Sequence, residues 1–427
     1  MDDYFFFLQS LLLCVAAVAL LQLAKVAATM RRRPRTPPGP WRLPVIGSMH
    51  HLVNALPHRA LRDLAGVHGP LMMLGLGETP VVVASSRGAA RAVLKTHDAN
   101  FATRPVGNKH VMPTRPRLLA GEIVGYGWAD ILFSPSGDYW RKLRQLCAAE
   151  ILSPKRVLSF RHIREDEVTA RVEEIRAAAA PSTPVNLSVL FHSTTNDIVA
   201  RAAFGRKRKS APEFMAAIKA GVGLSSGFKI PDLFPTWTTA LAAVTGMKRS
   251  LRGIHKTVDA ILQEIIDERR CVRGDKINNG GAADDQNADE NLVDDMFAGG
   301  TGTSASALEW AMSELMRNPA VMKKLQGQIR EAFHRKAVVT EADLQASNLS
   351  YEFIPFGSGR RMCPGFNYGL ASMELVLVAM LYHFDWSLLV GVKEVDMEEA
   401  PGLGVRRRSP LLLCATPFVP AAVSADY

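Results

Sequence analysis

Cys363 lies in a segment whose residue types suit a cysteine that binds a metal through its thiolate. Residues 355–365 read PFGSGRRMCPG. Gly357, Gly359 and Gly365 let a backbone turn tightly and approach a flat ligand closely, and amides freed in such a turn can donate to the sulfur. A helix predicted to begin near Gly365 directs its positive end at Cys363, so we expect a lowered thiol pKa. The segment predicts the axial thiolate ligand of a haem iron.

Two further side chains of this segment suit the same ligand. Phe356 can pack on the face of a macrocycle, and Arg361, two residues before the cysteine, can meet a haem propionate. A lone cysteine is more often a small apolar core residue than a chemical group. The eleven-residue pattern is what makes Cys363 a candidate ligand.

The other cysteines give no sign of a disulfide framework. The chain of 427 residues is 48% hydrophobic, as a globular protein is, and has five scattered cysteines without a C-x-x-C pair. An odd, sparse set indicates a reducing compartment. The set is Cys14, Cys147, Cys271, Cys363 and Cys414.

The charge balance points to a membrane rather than to nucleic acid. The net charge is +10, and much of the excess follows the apolar N-terminal segment. No zinc-finger spacing, helix-turn-helix signal or basic stripe with interleaved aromatic residues accompanies it, so we expect no nucleic-acid partner.

The N-terminus predicts a membrane anchor. Residues 5–24 carry no charge, and at about 1.5 Å per residue they span roughly 30 Å, the thickness of a bilayer core. Basic residues follow from Lys25 to Arg35, which places the body on the cytoplasmic side. A cleaved secretory signal is the alternative, but Asp2 and Asp3 stand where such a signal has positive charge. We assign residues 1–30 to the anchor and 31–47 to a basic, proline-rich spacer.

The rest of the chain predicts a mainly α fold with a small β-sheet. A hairpin is predicted over 71–84, with its turn at Gly77-Glu78. Residues 272–291 are rich in Gly, Asn and Asp and predict a solvated connector. Apolar residues at three- and four-residue spacing predict helices over 87–96, 138–150, 154–179, 189–203, 212–221, 247–270, 292–317, 320–335 and 365–382.

Taken together, these features resemble the plant-type (A-type) cytochromes P-450, which are haem-thiolate monooxygenases. From Phe356 to Gly365 the family's haem-loop signature, F-x-x-G-x-R-x-C-x-G, matches at every defined position. Anchor, spacer, hairpin, helices and haem loop also follow the family's order. The resemblance implies the P-450 helical fold with an N-terminal transmembrane helix.

Trp140 and Arg144 match the family's W-x-x-x-R motif, on the helix that crosses the haem edge. The resemblance implies that both contact a propionate. A Trp and an Arg four residues apart on a helix can also simply pack together, with the guanidinium reaching solvent.

Residues 298–304, AGGTGTS, match the family's oxygen-pocket motif on its long central helix. Adjacent glycines in a helix cost roughly 1 kcal/mol each relative to alanine. Their presence fits a helix that passes close to a flat cofactor at Ala298 and Gly299. By the resemblance, the Thr303 hydroxyl serves oxygen activation by passing protons, although Gly302 stands where most relatives have an acid. Alternatively, Thr303 bonds only the carbonyl four residues before it.

The resemblance further implies the cofactor, partners and location. The cofactor is haem b, and electrons come from an NADPH-dependent flavin reductase, so NADPH acts only indirectly. By analogy with the family, the substrate is a small lipophilic molecule of the specialised-metabolite class, such as a terpenoid. Its contacts are expected from 117–133, from 214–238 and from the central helix near Ala298. The body, 48–427, is expected on the cytosolic face of the endoplasmic reticulum membrane.

One part of the family pattern is missing. No Glu-x-x-Arg helix follows the central helix before Phe356: Glu314-x-x-Arg317 has the spacing but closes the helix predicted over 292–317, and Glu173-x-x-Arg176 lies far upstream. We infer that a segment is lacking at the 350/351 junction, which would remove a lock on the haem loop and leave the hairpin with less support. The chain is therefore either a monooxygenase or a shortened, non-catalytic product that binds haem or partners without turnover.

Overall fold

The chain divides into two compact units, Met1–Thr96 and His97–Tyr427. The computed structural model describes residues 36–104, 118–178, 183–206, 211–273, 283–333 and 354–418. Within these ranges the structure is mainly helical with three small antiparallel sheets. The prediction of a mainly α fold with little β structure is confirmed.

The first unit is built around the predicted hairpin. Leu76 lies opposite Thr79, so the turn falls at Gly77-Glu78 as predicted. The elements described in this unit are a 3-10 turn (Met49–Leu52), helix α1 (Pro57–His68), strands β1 (Leu71–Leu76) and β2 (Thr79–Ala84), helix α2 (Arg87–Arg91) and a π-helical turn (Ala92–Thr96).

The hairpin has support along the outer edge of β1. The Met73 amide donates to the Pro38 carbonyl at 2.8 Å, and the Ser48 amide donates to the Gly75 carbonyl at 2.5 Å. The side chain of Leu74 on the same strand is completely buried. An isolated hairpin is marginally stable, and the segment that precedes α1 therefore supplies part of the support that the missing segment was expected to remove.

The second unit contains the other described elements. A π-helical turn, Cys147–Ile151, extends its third helix. In chain order the elements are α3 (Asp98–Phe101), α4 (Leu119–Ile123), α5 (Asp138–Leu146), α6 (Pro154–Ser159), α7 (Arg161–Ala178), β3 (Pro184–Asn186), α8 (Leu187–Phe204), α9 (Ala211–Leu224), α10 (Ile230–Leu233), α11 (Thr238–Val244), α12 (Met247–Arg273), α13 (Ala283–Arg317), α14 (Pro319–Ala332), α15 (Phe366–His383), β4 (Phe384–Ser387), β5 (Glu399–Ala400), β6 (Arg406–Arg407) and β7 (Leu412–Pro417).

Two sequence predictions need correction. The helix predicted over 154–179 is two helices, because the chain turns at Phe160, whose amide bonds the Arg156 and Val157 carbonyls. The connector predicted over 272–291 is shorter, since α12 continues to Arg273 and α13 begins at Ala283. Acidic residues at a helix N-terminus favour the helix dipole, so 284–291 can be helical without an apolar repeat.

The core of the second unit forms where α8, α13 and α15 meet. Phe191, Leu308, Leu375 and Met380 are almost fully buried there, together with Leu413 of the sheet. That sheet has the strand order β3-β7-β4, and all its pairs are antiparallel. Helix α15 therefore runs from the cysteine loop through the centre of the core and continues directly into a sheet strand.

The end of α15 is held by side chains of α14. The Arg330 guanidinium donates to the Tyr382 and Phe384 carbonyls at 3.4 and 3.2 Å, and it pairs with Asp385 at 2.9 Å. The Gln326 amide also donates to the Phe384 carbonyl, at 2.9 Å. The last carbonyls of a helix lack partners within it, so these two residues cap α15 from a neighbouring helix.

The predicted membrane anchor, residues 5–24, lies outside the described residues. Among the helices inside the described ranges, none combines the length and apolar character that a bilayer crossing needs. The anchor stays a prediction.

Arg330→Met should lower the free energy of unfolding by about 1–3 kcal/mol, because it removes the donor to the Tyr382 carbonyl and the ion pair with Asp385, while Gln326 still serves the Phe384 carbonyl. Urea unfolding followed by tryptophan fluorescence measures the change. Lys324→Met, an exposed position on the same helix, is the matched control and should shift the midpoint little. Equal midpoints for the two variants would contradict the capping role of Arg330.

His383, the last residue of α15, predicts a loss of stability in acid. Burial, together with the neighbouring Arg176 guanidinium, lowers the pKa of His383 from 6.5 to about 4. In the unfolded chain the ring takes up a proton near its ordinary pKa of about 6.5. Between pH 6.5 and 4 the unfolded state therefore binds more protons, and the free energy of unfolding falls as the pH falls.

His383→Gln removes this proton uptake while keeping an acceptor for Arg176. Urea midpoints measured from pH 7 to 4 should fall less steeply in this variant than in the natural chain. The exposed His162→Gln controls for the loss of a histidine. Identical slopes for the natural chain and His383→Gln would refute the assignment.

Candidate functional site

The loop before Cys363 folds back on itself. Phe356, Gly357 and Gly359 have φ values of 63, 76 and 70°, in the left-handed region that glycine adopts without cost. The Cys363 amide donates to the Phe356 carbonyl at 2.8 Å and closes the loop. The expectation that Gly357 and Gly359 serve tight turns is confirmed.

Gly365 differs from Gly357 and Gly359 in its backbone conformation. Its φ is −86°, which any residue can adopt. Its amide instead donates to the Cys363 sulfur, and a Cβ at this position would lie 3.8 Å from that sulfur. The amide donation to the sulfur that the loop was expected to offer is therefore present, and a Cβ here would make only an ordinary van der Waals contact with the sulfur.

The pKa of Cys363 is raised, which corrects the expectation of a lowered one. Burial raises this pKa most, while the Gly365 amide and the charge of Arg144 act in the opposite direction. Removing a thiolate from water destabilises it more than one hydrogen bond from an amide and a nearby guanidinium stabilise it. A coordinating metal ion deprotonates a thiol outright, so metal binding at this position would offset the effect of burial.

Phe356 lies over the first turns of α15. Its ring meets the Phe366 ring edge-on, with centroids 4.9 Å apart. A Cβ at Gly369 would lie 3.2 Å from the Phe356 ring and 3.9 Å from the Ser304 hydroxyl. The cysteine loop and the central helix α13 therefore meet over this glycine, as the predicted site requires.

Trp140, Arg144 and Arg361 come together although more than 200 residues separate the motifs. The guanidinium carbon of Arg361 lies 3.9 Å from the centre of the Trp140 ring, and that of Arg144 lies 5.2 Å from it. Both distances are within the range of cation–π attraction. Arg144 also acts electrostatically on Cys363, so these residues and the cysteine belong to one site.

The Arg361 guanidinium is held by neutral oxygens. It donates to the backbone carbonyls of Ala102 at 2.7 Å, Ser134 at 2.5 Å and Ile131 at 3.4 Å. Burial, helped by the charges of Arg104 and Arg144, lowers the pKa of Arg361 to about 10. These hydrogen bonds fix the side chain but do not balance its charge.

The cluster of Arg104, Arg144 and Arg361 fits an anionic ligand. Within the described ranges, none of the three forms a salt bridge with a carboxylate, although the Asp130 carboxylate acts electrostatically on Arg104 and Arg361. Neighbouring positive charges repel each other, and partial burial strengthens the repulsion. A dianionic group, such as the two carboxylates of haem, would balance this charge beside a cysteine sulfur. The residues present therefore fit the predicted cofactor.

Two residues of this site, Arg104 and Asp130, could not be recognised as site residues from the sequence. Arg104 donates to the Leu132 carbonyl at 2.9 Å, and burial lowers its pKa, against the effect of Asp130. Asp130 is almost fully buried, and burial raises its pKa to about 6. Neither residue belongs to a motif of fixed spacing, and only the folded chain brings them to the cluster.

On α13 the Thr303 hydroxyl donates to the Gly299 carbonyl. This is the bond that the alternative interpretation predicts, and the proton-passing role stays a prediction. A Cβ at Gly300 would lie 3.1 Å from Val199 on α8, so Gly300 serves the approach of two helices. The backbone of Ala298 belongs to the same helix, but its side chain lies outside what the structure describes.

The two loop segments predicted to contact substrate meet each other. The Leu119 amide donates to the Asp232 carboxylate at 3.3 Å, and Leu119 and Ala120 pack with Leu251 in a small buried cluster. Arg117 and the 350/351 junction lie outside the described residues. Glu173-x-x-Arg176 is not part of this site, because Arg176 bonds His383 at 2.8 Å.

Comparison with known proteins places the chain among plant oxygenases. Premnaspirodiene oxygenase of Hyoscyamus muticus is 35% identical over 98% of this chain and 99% of its own length. 5-Epiaristolochene 1,3-dihydroxylase of Nicotiana tabacum is 32% identical over 98% of this chain and 99% of its own length. Tabersonine 3-oxygenase of Catharanthus roseus is 36% identical over 90% of this chain and 92% of its own length.

These alignments are longer than the chain. The one with premnaspirodiene oxygenase covers 514 positions, so at least 87 of them (514 minus 427) have a residue only in the relative. The profile of the family described as "Cytochrome P450" matches in two consecutive parts, residues 37–349 and 345–415. Members of that family are monooxygenases that hold haem iron through a cysteine thiolate and take electrons from a reductase. With these matches over nearly its whole length, the chain belongs to the cytochrome P450 family.

Proposed function

We propose that this chain binds haem b through the Cys363 sulfur and pairs the haem carboxylates with Arg144 and Arg361 beside Trp140. The observation that carries this is the convergence of arginines, without a described carboxylate partner, on a cysteine loop of the family's pattern. Arg104 belongs to the same cluster and adds a third positive charge.

Bound haem supplies the oxidative chemistry that amino-acid side chains lack. The protein residues do the rest of the work. The Gly365 amide tunes the sulfur, while Phe356 supports the loop and packs against the cofactor face. The Gly299 segment leaves space over the site, since nothing lies within 4 Å of a Cβ built there.

Thr303 is proposed to hold and pass protons at its hydroxyl. That hydroxyl donates to the Gly299 carbonyl and keeps its lone pairs for accepting a proton from water. Because Gly302 offers no acid, the proton route would run through water and Thr303 alone. Thr303 is exposed within the described structure, as this route requires.

The substrate is proposed to be a small lipophilic specialised metabolite, such as a terpenoid. The body would hydroxylate it with electrons from an NADPH-dependent flavin reductase. Support comes from the relatives named premnaspirodiene oxygenase and tabersonine 3-oxygenase. Residues 5–24 are proposed to anchor the body on the cytosolic face of the endoplasmic reticulum.

A second candidate function has its own support. The family profile matches in two parts that meet at 345–349, and the aligned relatives are longer. Both observations favour a missing segment at the 350/351 junction. Without the family's Glu-x-x-Arg lock, the chain could bind haem without turning over substrate.

Cys363→Ser tests the ligand assignment. The full chain is expressed, reduced and exposed to carbon monoxide, and the natural chain should give the strongly red-shifted Soret band of thiolate-bound haem. Cys363→Ser should abolish that band, while Cys414→Ser, a free cysteine in β7, should retain it. A shifted band that persists in Cys363→Ser would show that another residue holds the iron.

Restoring the missing segment tests the second candidate. The corresponding segment of tabersonine 3-oxygenase, inserted between Ser350 and Tyr351, should raise the fraction of bound haem that gives the shifted band, because the cysteine loop regains its lock. A flexible Gly-Ser insert of equal length controls for length and should not raise it. A fully shifted band in the natural chain, unchanged by the insertion, would refute the missing lock.

A further inference from the structure

The loop 130–134 presents a row of backbone carbonyls to the arginine cluster. The Ile131 carbonyl accepts from the Trp140 indole at 3.1 Å and also from Arg361 at 3.4 Å. The Leu132 carbonyl accepts from Arg104 at 2.9 Å, and that of Ser134 accepts from Arg361 at 2.5 Å. Three side chains of the proposed haem site therefore take their orientation from one short loop.

The carboxylate of Asp130 holds that loop in shape. One oxygen, Oδ1, accepts from the Leu132 amide at 2.7 Å and from the Phe133 amide at 2.5 Å. With both amides turned toward Asp130, the carbonyls are free to face outward. The Ser134 amide donates to the Asp130 carbonyl at 3.1 Å and completes the turn.

The other oxygen of Asp130 is enclosed. A Cβ at Gly125 would lie 2.0 Å from Oδ2, so only glycine fits there. Oδ2 has no hydrogen-bond partner among the described residues, and Asp130 is only 7% exposed. The Ser134 hydroxyl closes the same pocket by donating to the Trp128 carbonyl at 2.8 Å.

A buried carboxylate with one unpartnered oxygen is costly. Two interactions offset the cost of burying the Asp130 carboxylate. They are the two short hydrogen bonds from backbone amides and the attraction to the nearby charges of Arg104 and Arg361. The hydrogen bonds from the two amides shape the loop, and the carbonyls of the loop hold the arginines. Burial of the Asp130 carboxylate therefore serves to position the arginine cluster.

We propose that Asp130 is a positioning residue of the haem site, acting through the carbonyls of the loop 130–134 on Arg104, Arg361 and Trp140. Its described side-chain hydrogen bonds go to the Leu132 and Phe133 amides of its own loop. The inference rests on the proposed function, because the group whose retention it controls is the haem bound at that cluster.

Asp130 could act as a hydrogen-bond acceptor or as a negative charge, and the variants Asp130→Leu and Asp130→Asn separate these two effects. Leucine has a similar size but accepts no hydrogen bond, whereas asparagine keeps an acceptor oxygen and loses the charge. Transfer of haem from the oxidised full chain to excess apomyoglobin measures retention. Asp130→Leu should release haem about tenfold faster, which corresponds to roughly 1.4 kcal/mol, and Asp130→Asn should stay within about threefold of the natural chain.

Asn186→Ala is the matched control. The Asn186 side chain accepts from the Val189 amide at 3.1 Å and caps α8, so its loss removes a comparable acceptor that bears on no arginine. The variant should unfold at lower urea concentration without faster haem release. Equal acceleration in Asn186→Ala would mean that general destabilisation explains the effect of Asp130→Leu.

A double-mutant cycle tests the route of the effect. In an Arg361→Met background, Asp130→Leu should accelerate release much less than in the natural chain, because the shared partner is gone. An undiminished effect, or an Asp130→Asn variant as impaired as Asp130→Leu, would overturn the proposal.

Hydrogen exchange on the haem-free chain supplies a readout independent of haem. The Leu132 and Phe133 amides should exchange faster in Asp130→Leu but not in Asp130→Asn, since only the former loses their acceptor. Unchanged exchange in Asp130→Leu refutes the role of Asp130 even if the natural chain binds haem. A natural chain that takes up no haem contradicts the proposed function, and the exchange result then decides on Asp130 by itself.

Discussion

Positive charge held by neutral carbonyl oxygens is the interaction on which this site depends. Arg361 is fixed by three backbone carbonyls, and Arg104 is fixed by a fourth. Hydrogen bonds of this kind fix the orientation of a guanidinium, but they do not neutralise its charge. The protein therefore prepares both the geometry and the field for an anion. The carboxylate of Asp130 shapes the carbonyl loop by accepting hydrogen bonds from two of its amides. It forms no salt bridge with Arg104 or Arg361 among the described contacts.

Helix α15 connects this site to the rest of the core. Its first turns lie beneath Phe356 and beside Ser304 of α13, and its last carbonyls are capped by Gln326 and Arg330 of α14. Between these ends, Leu375 and Met380 are buried in the main cluster. A helix held at one end and packed along its length limits how far the cysteine loop can move, because interiors are close-packed and do not deform continuously.

The sequence predicts the parts of the site that have fixed spacing and misses those that the fold assembles. Cys363 and the turns at Gly357 and Gly359 follow from residue types in one segment, and the hairpin follows from its apolar arms. The raised pKa of Cys363 does not, because burial depends on the whole fold and outweighs the local amide. Asp130 could not be found either, since its partners are amides and carbonyls, which every sequence offers equally.

The unbalanced guanidinium cluster has a consequence for the amount of protein in a cell. A group that binds only the folded chain stabilises it by mass action, and here it also relieves repulsion among three partly buried cations. Chains that have not yet received such a group carry that repulsion and unfold more readily. Since cells remove unfolded chains continuously, the supply of the prosthetic group would set how long each newly made chain survives.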